Sequence, residues 1–451
     1  MTDDAVLSKL GVYDTRAPRY TSYPTAVHFG TKIGPDFTKR QLQRLPTERP
    51  ISIYIHIPFC ERLCWFCACR TQGTRSASPI KAYLDTLVKE ITMLGKELPN
   101  GVKVAKIHWG GGTPTILAPD QIRRLATTLY DAIPQTNDVE FSVEIDPTLI
   151  DPQKVEALVE MGMSRASIGV QDFAEKVQKA IGRMQSYKTS KDCIDLLTTA
   201  NIQSLNMDIL YGLPYQTFES VLDTINMVSS LSPDRIALYG YAHVPWMAKR
   251  QKLINETDLP DGKMRRDLFN LMASELEKND YKPIGIDHFA KTTDPMAIAN
   301  TNGKLRRNFQ GYTTDDQDVL IGIGASAISK YPDGYTQNIP KSSEYSRTIN
   351  EGILPAYRGI EMSAHDHLIA RVIEMIMCGF EVEYAKLIED FGQDLSPIMV
   401  GVEKLRVKYK DVVNITDKGF KITHHKRELA RIIAQLFDTY DQSVAKFSSV
   451  S

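Results

Sequence analysis

From about residue 50 to 245 the chain alternates six times between short apolar runs and amphipathic stretches, and that rhythm limits the folds open to it. Strands are expected at Ile51–Ile57, Val104–Trp109, Val139–Ile145, Arg165–Val170, Ser204–Leu210 and Arg235–Tyr241. Helices are expected between them, near 79–98, 119–133, 152–162, 173–182, 187–200 and 217–231. Such alternation gives a parallel sheet covered by helices. Six units are too few for a closed eight-stranded barrel, so an open or partial barrel is expected, with chemistry at the C-terminal ends of its strands.

The notable residues fall at those ends. A cysteine run follows the first strand and Gly110-Gly111-Gly112-Thr113-Pro114 follows the second. Glu144 ends the third, Gln171 follows the fourth, Asp208 lies near the end of the fifth, and Tyr241-Ala242-His243 follows the sixth. Strand alternation puts Glu144 and Ser142 on one face and Val143 and Ile145 on the other. A carboxylate on an inward face needs a partner; a salt bridge or a ligand would serve either Glu144 or Asp208. Arg183 is a candidate to pair with a carboxylate.

The cysteine run is Cys60-Glu-Arg-Leu-Cys64-Trp-Phe-Cys67. Three thiolates at this spacing can hold three irons of a cubic cluster and leave the fourth open to a substrate or cofactor. Zinc usually takes four protein ligands in two pairs, and no second CxxC or HxxxH pair is present. Cys69 sits awkwardly close to Cys67 for a fourth ligand, and no distant cysteine motif completes a ferredoxin-like site. Of the six cysteines, Cys193 and Cys378 lie in helical patterns and read as small buried residues. An open iron suits a ligand that presents an amine and a carboxylate together, such as the methionine end of S-adenosylmethionine, with Phe66 placed to touch its adenine. The glycine run is not a phosphate loop, since the Lys-Ser/Thr ending is absent; it leaves backbone open to close approach by a ligand. His56, His108, His243 and His288 flank strands, where isolated histidines are most often hydrogen-bonded and structural.

Outside the alternating region, residues 1–45 read as an extended arm with some local helix. Residues 246–345 are mixed, with a helix near 263–279, a strand-like run Lys282–His288 and the glycine-rich Leu320–Ala327. From about 360 a smaller unit follows: helices near 365–378 and 384–392, a hairpin across Val412–Thr423 and a last helix near 426–441. The expected division is an arm 1–45, a partial barrel with extension 46–350, and a mostly helical unit 351–451. A formal net charge of −1 gives no bulk attraction to nucleic acid or anionic membranes. No apolar run reaches the length of a membrane span, and Met1-Thr-Asp-Asp-Ala is not a secretory start. A cytoplasmic protein with no nucleic-acid or membrane partner is expected.

The CxxxCxxC run with an aromatic before its last cysteine, followed by GGGTP, resembles the radical S-adenosylmethionine superfamily. Pro18-Arg-Tyr-Thr-Ser-Tyr-Pro-Thr25, Tyr54-Ile-His-Ile-Pro-Phe-Cys60, Cys67-Ala-Cys69, Gly169-Val-Gln-Asp-Phe173, Asp208–Pro214 and Asn308–Thr314 are similar, in combination, to the oxygen-independent coproporphyrinogen III oxidases. The resemblance runs from about residue 11 to 440. Ala68 departs from the glycine expected in close relatives, and Arg70–Arg75 also differs from the familiar form. The resemblance implies an α/β fold, a partial (β/α)6 TIM-like barrel with an N-terminal arm and a small mostly helical C-terminal domain. It implies a [4Fe-4S] cluster on Cys60, Cys64 and Cys67 and two S-adenosylmethionine molecules. The first would contact Tyr54, Gly111 and Glu144; the second Phe66, Gly112, Thr113, Gln171, Arg183, Asp208, Ala242 and Ile328. The implied reaction turns two propionates of coproporphyrinogen III into vinyl groups without oxygen, through a 5′-deoxyadenosyl radical. Gln310 and Phe309 are placed near the second cofactor, so Glu144, Gln310, Ile328 and Arg19 form the expected catalytic set, with Arg19 and the arm tyrosines closing the mouth over a large tetraanion. An electron donor and acceptor are implied partners, and a monomer is expected. The alternative is a haem-binding chaperone of the same branch; such relatives generally lack the arm motif and the cysteine at position 69.

Overall fold

Ile51, Ile53, Ile55 and Ile57 alternate with Ser52, Tyr54 and His56, and this alternation sets the two faces of strand β1 (Ile51–Ile57). The four isoleucines are fully buried in the main core beneath the helices, each stabilising the fold by about 2 kcal/mol. Tyr54 and His56 face the opposite side, the lumen. The computed structural model describes residues 3–202, 204–444, 447, 448 and 450.

The other expected strands form in turn: β2 (Val104–Gly111), β3 (Gln135–Ile145), β4 (Met163–Gln171), β5 (Ser204–Tyr211) and β6 (Arg235–Gly240). They are followed by β7 (Tyr281–Ile284), β8 (His288–Lys291), β9 (Leu320–Ile323), β10 (Ile328–Tyr331), β11 (Gly334–Asn338) and β12 (Ala356–Glu361). All twelve make one sheet in the order β12-β11-β10-β9-β1-β2-β3-β4-β5-β6-β8-β7. From β9 through β6 the neighbours are parallel, and the flanking strands are antiparallel. The expected α/β partial barrel is present, widened by antiparallel strands at both edges. Its last strand lies beyond residue 350.

The helices between strands start on the signals their sequences carry. Asp151, Ser186 and Thr217 each accept a hydrogen bond from the backbone three residues on, and Pro119 and Pro152 stand in the first turn of their helices. The strand-like run Lys282–His288 is instead a hairpin. Gly285 takes a φ of +54° and packs against Tyr312, folding β7 back on β8. The helix expected over 173–182 is confined to Glu175–Ala180. Ahead of it, Gln171 is left-handed and the Asp172 carboxylate holds the Ala174 N–H at 2.6 Å. The last expected helix stops at Gln435, and the Asp438 carboxylate then organises a turn by accepting from Tyr440 N at 3.0 Å. A helix over Ser396–Lys408, absent from the sequence reading, completes the C-terminal unit.

A second core joins that unit to the arm. Leu7, Leu10, Val12, Tyr20 and Tyr23 pack with Ile369, Val372, Ile376, Ile433 and Phe437. Tyr20 donates to Asp438 at 2.9 Å, and Arg431 donates to the carbonyl of Pro18 at 3.1 Å. Among the described residues, no helix is long and apolar enough to cross a membrane.

Candidate active site

The cysteine loop leaves β1 at Pro58 and returns along it. Gln72 N donates to Pro58 O at 2.7 Å and Thr74 N to Cys60 O at 2.9 Å, pairing Phe59–Cys60 with Gln72–Gly73. Its middle docks on the turn after helix Glu175–Ala180: Trp65 N donates to Ile181 O at 2.9 Å and Arg62 Nη1 to Met184 O at 2.7 Å. A Cβ at Gly182 would stand 2.8 Å from the Trp65 indole, so only glycine admits that ring. All six cysteines are free thiols; Cys193 and Cys378 are buried as expected.

Each thiol of the motif has its own surroundings. Thr113 Oγ1 donates to Cys60 Sγ at 3.6 Å, and burial pushes the Cys60 thiol up to about 11. Arg183 Nη1 lies 3.7 Å from Cys64 Sγ. Cys67 is pushed down to about 6, chiefly by a hydrogen bond from the Cys69 thiol, with Arg250 and Arg183 adding positive charge. Cys69 is therefore the member of this pair that keeps its proton.

Beside the loop, Gly110–Gly112 forms a cradle. A Cβ at Gly110 would stand 2.8 Å from Glu144 Oε1, one at Gly111 2.5 Å from the His56 ring, and one at Gly112 2.6 Å from the Phe59 carbonyl. Gly111 N donates to Glu144 Oε2 at 3.0 Å, while His108 Nε2 approaches Glu144 Oε1 at 3.5 Å and its Nδ1 meets Ser142 at 3.2 Å. Burial raises the Glu144 carboxyl, but the bond and charge of His108 and the Gly111 amide outweigh it and hold the group below its ordinary value. Tyr54 stacks on His108 with ring centroids 5.8 Å apart and bonds His56 Nδ1 at 3.0 Å; His56 Nε2 meets the Arg70 carbonyl at 3.1 Å. Burial keeps His56 neutral.

The structure thus brings Tyr54, Gly111 and Glu144 into one bonded group, and Gly112 and Thr113 against Cys60. Gln171 and Arg183 meet at Gly169, whose carbonyl accepts from Arg183 Nη2 at 2.7 Å. Gln171 holds a φ of +74° at a register shift of β4, a strained position of the kind found at functional sites. Phe66 and Ala242 are joined by Gln251, which is fully buried and donates to both carbonyls. Asp208 lies deeper, bonded by Asn206 at 2.9 Å and Ser167 at 3.3 Å; burial and then the charge of Glu144 push its carboxyl up to about 6. It lines the same lumen cavity of about 240 Å³ as Glu144 and Gln310. Arg19 reaches the mouth from the arm and donates to Gly240 O at 2.9 Å. Ile328 begins β10, two strands from β1, with its backbone against Gly322 of β9.

The donor set fits a cluster with an open corner. Cys60, Cys64 and Cys67 come from one loop within reach of each other's charge, with no fourth motif ligand, and would hold three corners of such a cluster. Three thiolates leave such a cluster net negative, and arginines stand ready for it. Arg183 Nε, Arg250 Nη1 and two nitrogens of Arg62 are buried with no acceptor among the described residues.

Sequence reasoning missed Gln251 and Arg250. Arg250 donates to Thr71 Oγ1 at 2.7 Å. Both lie in a short 3-10 stretch, Lys249–Leu253, with no periodicity or motif to mark them.

The Radical SAM superfamily model matches residues 54–228. An oxygen-independent coproporphyrinogen III oxidase of Cereibacter sphaeroides is 49% identical to this chain over 452 residues, covering 100% of both. A protein of the same name from Paracoccus denitrificans is 45% identical and also covers 100% of both chains. The solved structure of coproporphyrinogen III oxidase (HemN) from Escherichia coli, described as a radical SAM enzyme, is 35% identical with a TM-score of 0.91, covering 98% of this chain and 99% of that one.

Proposed function

The chain belongs to the oxygen-independent coproporphyrinogen III oxidases of the radical SAM superfamily, and from that premise we propose how its residues carry the reaction. It is an oxidoreductase of haem biosynthesis that oxidises coproporphyrinogen III without oxygen, and its family uses a [4Fe-4S] cluster and S-adenosylmethionine. The haem-binding chaperone alternative is not favoured, since relatives matching over the whole length carry the oxidase name.

When bound, the cluster and S-adenosylmethionine supply reductive carbon–sulfur cleavage to a 5′-deoxyadenosyl radical. Cys60, Cys64 and Cys67 hold the cluster, and Thr113 and Arg183 steady the first two sulfurs. Gly111 and Gly112 offer backbone at close range, and Glu144, kept ionised, holds the cradle through the Gly111 amide. Tyr54 closes the lumen wall beneath this first cofactor position. A second S-adenosylmethionine would lie among Phe66, Gly112, Thr113, Gln171, Arg183, Asp208, Ala242 and Ile328. Asp208 is suited to a ribose hydroxyl, since at neutral pH it is held by two neutral donors and not by a cation. Gln310 faces this position across the lumen, and Arg19 closes the mouth. The propionates at the radical would lose a β-hydrogen, carbon dioxide and one further electron each, giving the two vinyl groups of protoporphyrinogen IX. A separate donor must reduce the cluster, and an acceptor must take the released electron. A monomer in the cytoplasm suits this reading, with an arm, a barrel whose sheet runs on to Glu361 and a helical unit after it.

The observation that carries it is Arg183: one guanidinium spans the Cys64 thiol and the Gly169 carbonyl beside Gln171, joining the cysteine loop to the end of β4. Anaerobic reconstitution with iron and sulfide tests it. Protein with S-adenosylmethionine, dithionite and coproporphyrinogen III is expected to release 5′-deoxyadenosine, carbon dioxide and divinyl product, and the Cys60→Ala, Cys64→Ala and Cys67→Ala variants none. Vinyl formation by any of the three would overturn the ligand assignment. A reconstituted wild type that binds haem but forms no product would return the chaperone reading.

A further inference from the structure

Between the end of β6, the arm and the C-terminal unit lies a cavity of about 390 Å³, within the range of small-molecule sites. Arginines dominate its polar wall: Arg19, Arg265, Arg307, Arg427 and Arg431 all line it. Tyr211, Tyr241, Trp246 and Phe269 supply apolar wall.

Two of these cations are fixed yet incompletely satisfied. Arg307 lies over the Tyr312 ring, 4.5 Å from its centroid, and donates through Nη2 to the Arg19 carbonyl at 3.2 Å. Its Nε and Nη1 are buried with no acceptor among the described residues. Arg427 lies 3.9 Å over the Phe269 ring and donates through Nε to Ile286 O at 2.8 Å, while its Nη2 is likewise buried without an acceptor. Three carboxylates share the wall and are outnumbered by the arginines: Asp287, bonded to His288 at 2.7 Å, whose charge also reaches Arg307 and Arg427, Glu256, held by His243 at 3.2 Å, and Glu428, held by Arg266 at 3.7 Å. The crowding shows in Arg431, whose guanidinium is pushed down to about 9 by burial, with Arg19 and Arg307 adding to the effect. Arg307 and Arg427 both line the cavity while part of each guanidinium is desolvated and unmatched, an unfavourable state that a carboxylate entering beside them relieves.

We propose that this cavity is the carboxylate clamp of the enzyme, in which Arg307 and Arg427 bind propionates of coproporphyrinogen III while the aromatic wall receives pyrrole rings. The assignment rests on the function proposed above and adds the residues that grip the substrate. The clamp adjoins the reacting centre, because Ala242 lines the cavity and shares Gln251 with Phe66 of the cysteine loop. Arg19, with its backbone on Arg307 and its side chain on Gly240, is the part of the arm that closes over the bound acid. The grip falls on the charges of the substrate and not on the hydrogen that is removed, so its loss weakens binding ahead of turnover.

Coproporphyrin III, the air-stable tetracarboxylate, is the probe, titrated by fluorescence into the cluster-loaded enzyme. Arg307→Gln and Arg427→Gln are each expected to raise its Kd about tenfold or more, with Arg307→Lys in between. Iron content and circular dichroism confirm that each variant is folded. Binding to the wild type is expected to weaken as sodium chloride rises from roughly 0.05 to 0.5 M, a measurement independent of any variant. Salt-independent binding, or folded variants whose Kd stays within about twofold of wild type, overturns the clamp. Wild type that binds the probe in this salt-dependent, arginine-dependent way but turns over no coproporphyrinogen III leaves the clamp standing and overturns the function instead.

Discussion

Gln251 holds Phe66 to the barrel: its side-chain amide donates 2.7 Å to the Phe66 carbonyl, between the last two motif cysteines, and 3.1 Å to Ala242 O just past β6. Its Oε1 in turn accepts from Val244 N. One buried side chain thus fixes the cysteine loop to the opposite wall of the mouth.

Gln251→Leu keeps the volume and removes all three bonds. Leaving buried partners unmatched costs about 3 kcal/mol, so a lower thermal midpoint is expected. Iron should also leave the reconstituted variant faster under a chelator, followed by loss of visible absorbance. Wild-type iron retention would show that the loop is held by other contacts.

Gly111→Ala would put a methyl 2.5 Å from the His56 ring, at a φ of +113°. Strain and overlap together cost about 3 kcal/mol or more. The cradle is expected to shift and substrate-free 5′-deoxyadenosine release to collapse, as read by chromatography. A variant releasing it at the wild-type rate would place the cofactor elsewhere.

Arg183→Gln removes a buried cation beside Cys64 while keeping a hydrogen-bond donor. Reduction adds negative charge to a cluster, and a nearby cation favours it. The cluster midpoint is therefore expected to move to a more negative potential, measured by redox titration with electron paramagnetic resonance. An unchanged midpoint would confine Arg183 to its backbone bond at Gly169.

Glu90, on helix Ala77–Glu97, is buried against the turn after β9. It accepts from Gly324 N at 2.8 Å and from Asn338 at 2.9 Å, with the Tyr345 hydroxyl as a third donor. Burial raises its carboxyl from 4.5 to about 7 in the fold. The folded state therefore holds the proton more tightly than the unfolded chain. The stability this gives is present below pH 4.5 and is lost as pH rises through 7, a change on the order of 3 kcal/mol. Between pH 5 and pH 8 the melting temperature of wild type should fall relative to that of Glu90→Gln. Parallel curves for the two proteins would show that Glu90 does not titrate in this range.

The sequence exposed what local rules govern. The β1 isoleucines alternate with Tyr54 and His56, and both the strand and its lumen face follow from that period. The cysteine motif, Gly111 and Glu144 were legible because spacing and strand position mark them. Gln251, Arg307 and Arg427 were not. Each also bonds a partner 141 to 288 residues away, and nothing in a single loop residue encodes such a meeting. The turn at Gly285 was read as strand because its neighbours are apolar enough for one, and only packing against Tyr312 reveals the bend. Helix Ser396–Lys408 escapes sequence reasoning for a related reason: exposed Met399 and Val400 stand between buried Ile398 and Val402, and exposed Val407 follows buried Leu405, which blurs the period.

The arm and the C-terminal unit share one core, so the seat of the arm is built from residues far along the chain, as in the bond between Arg431 and Pro18, 413 positions apart. Arg19 stands at the barrel mouth next to Pro18, whose carbonyl is held by Arg431 of the C-terminal unit. The C-terminal unit, though it lies outside the barrel, thereby sets where the cation of the arm stands at the mouth.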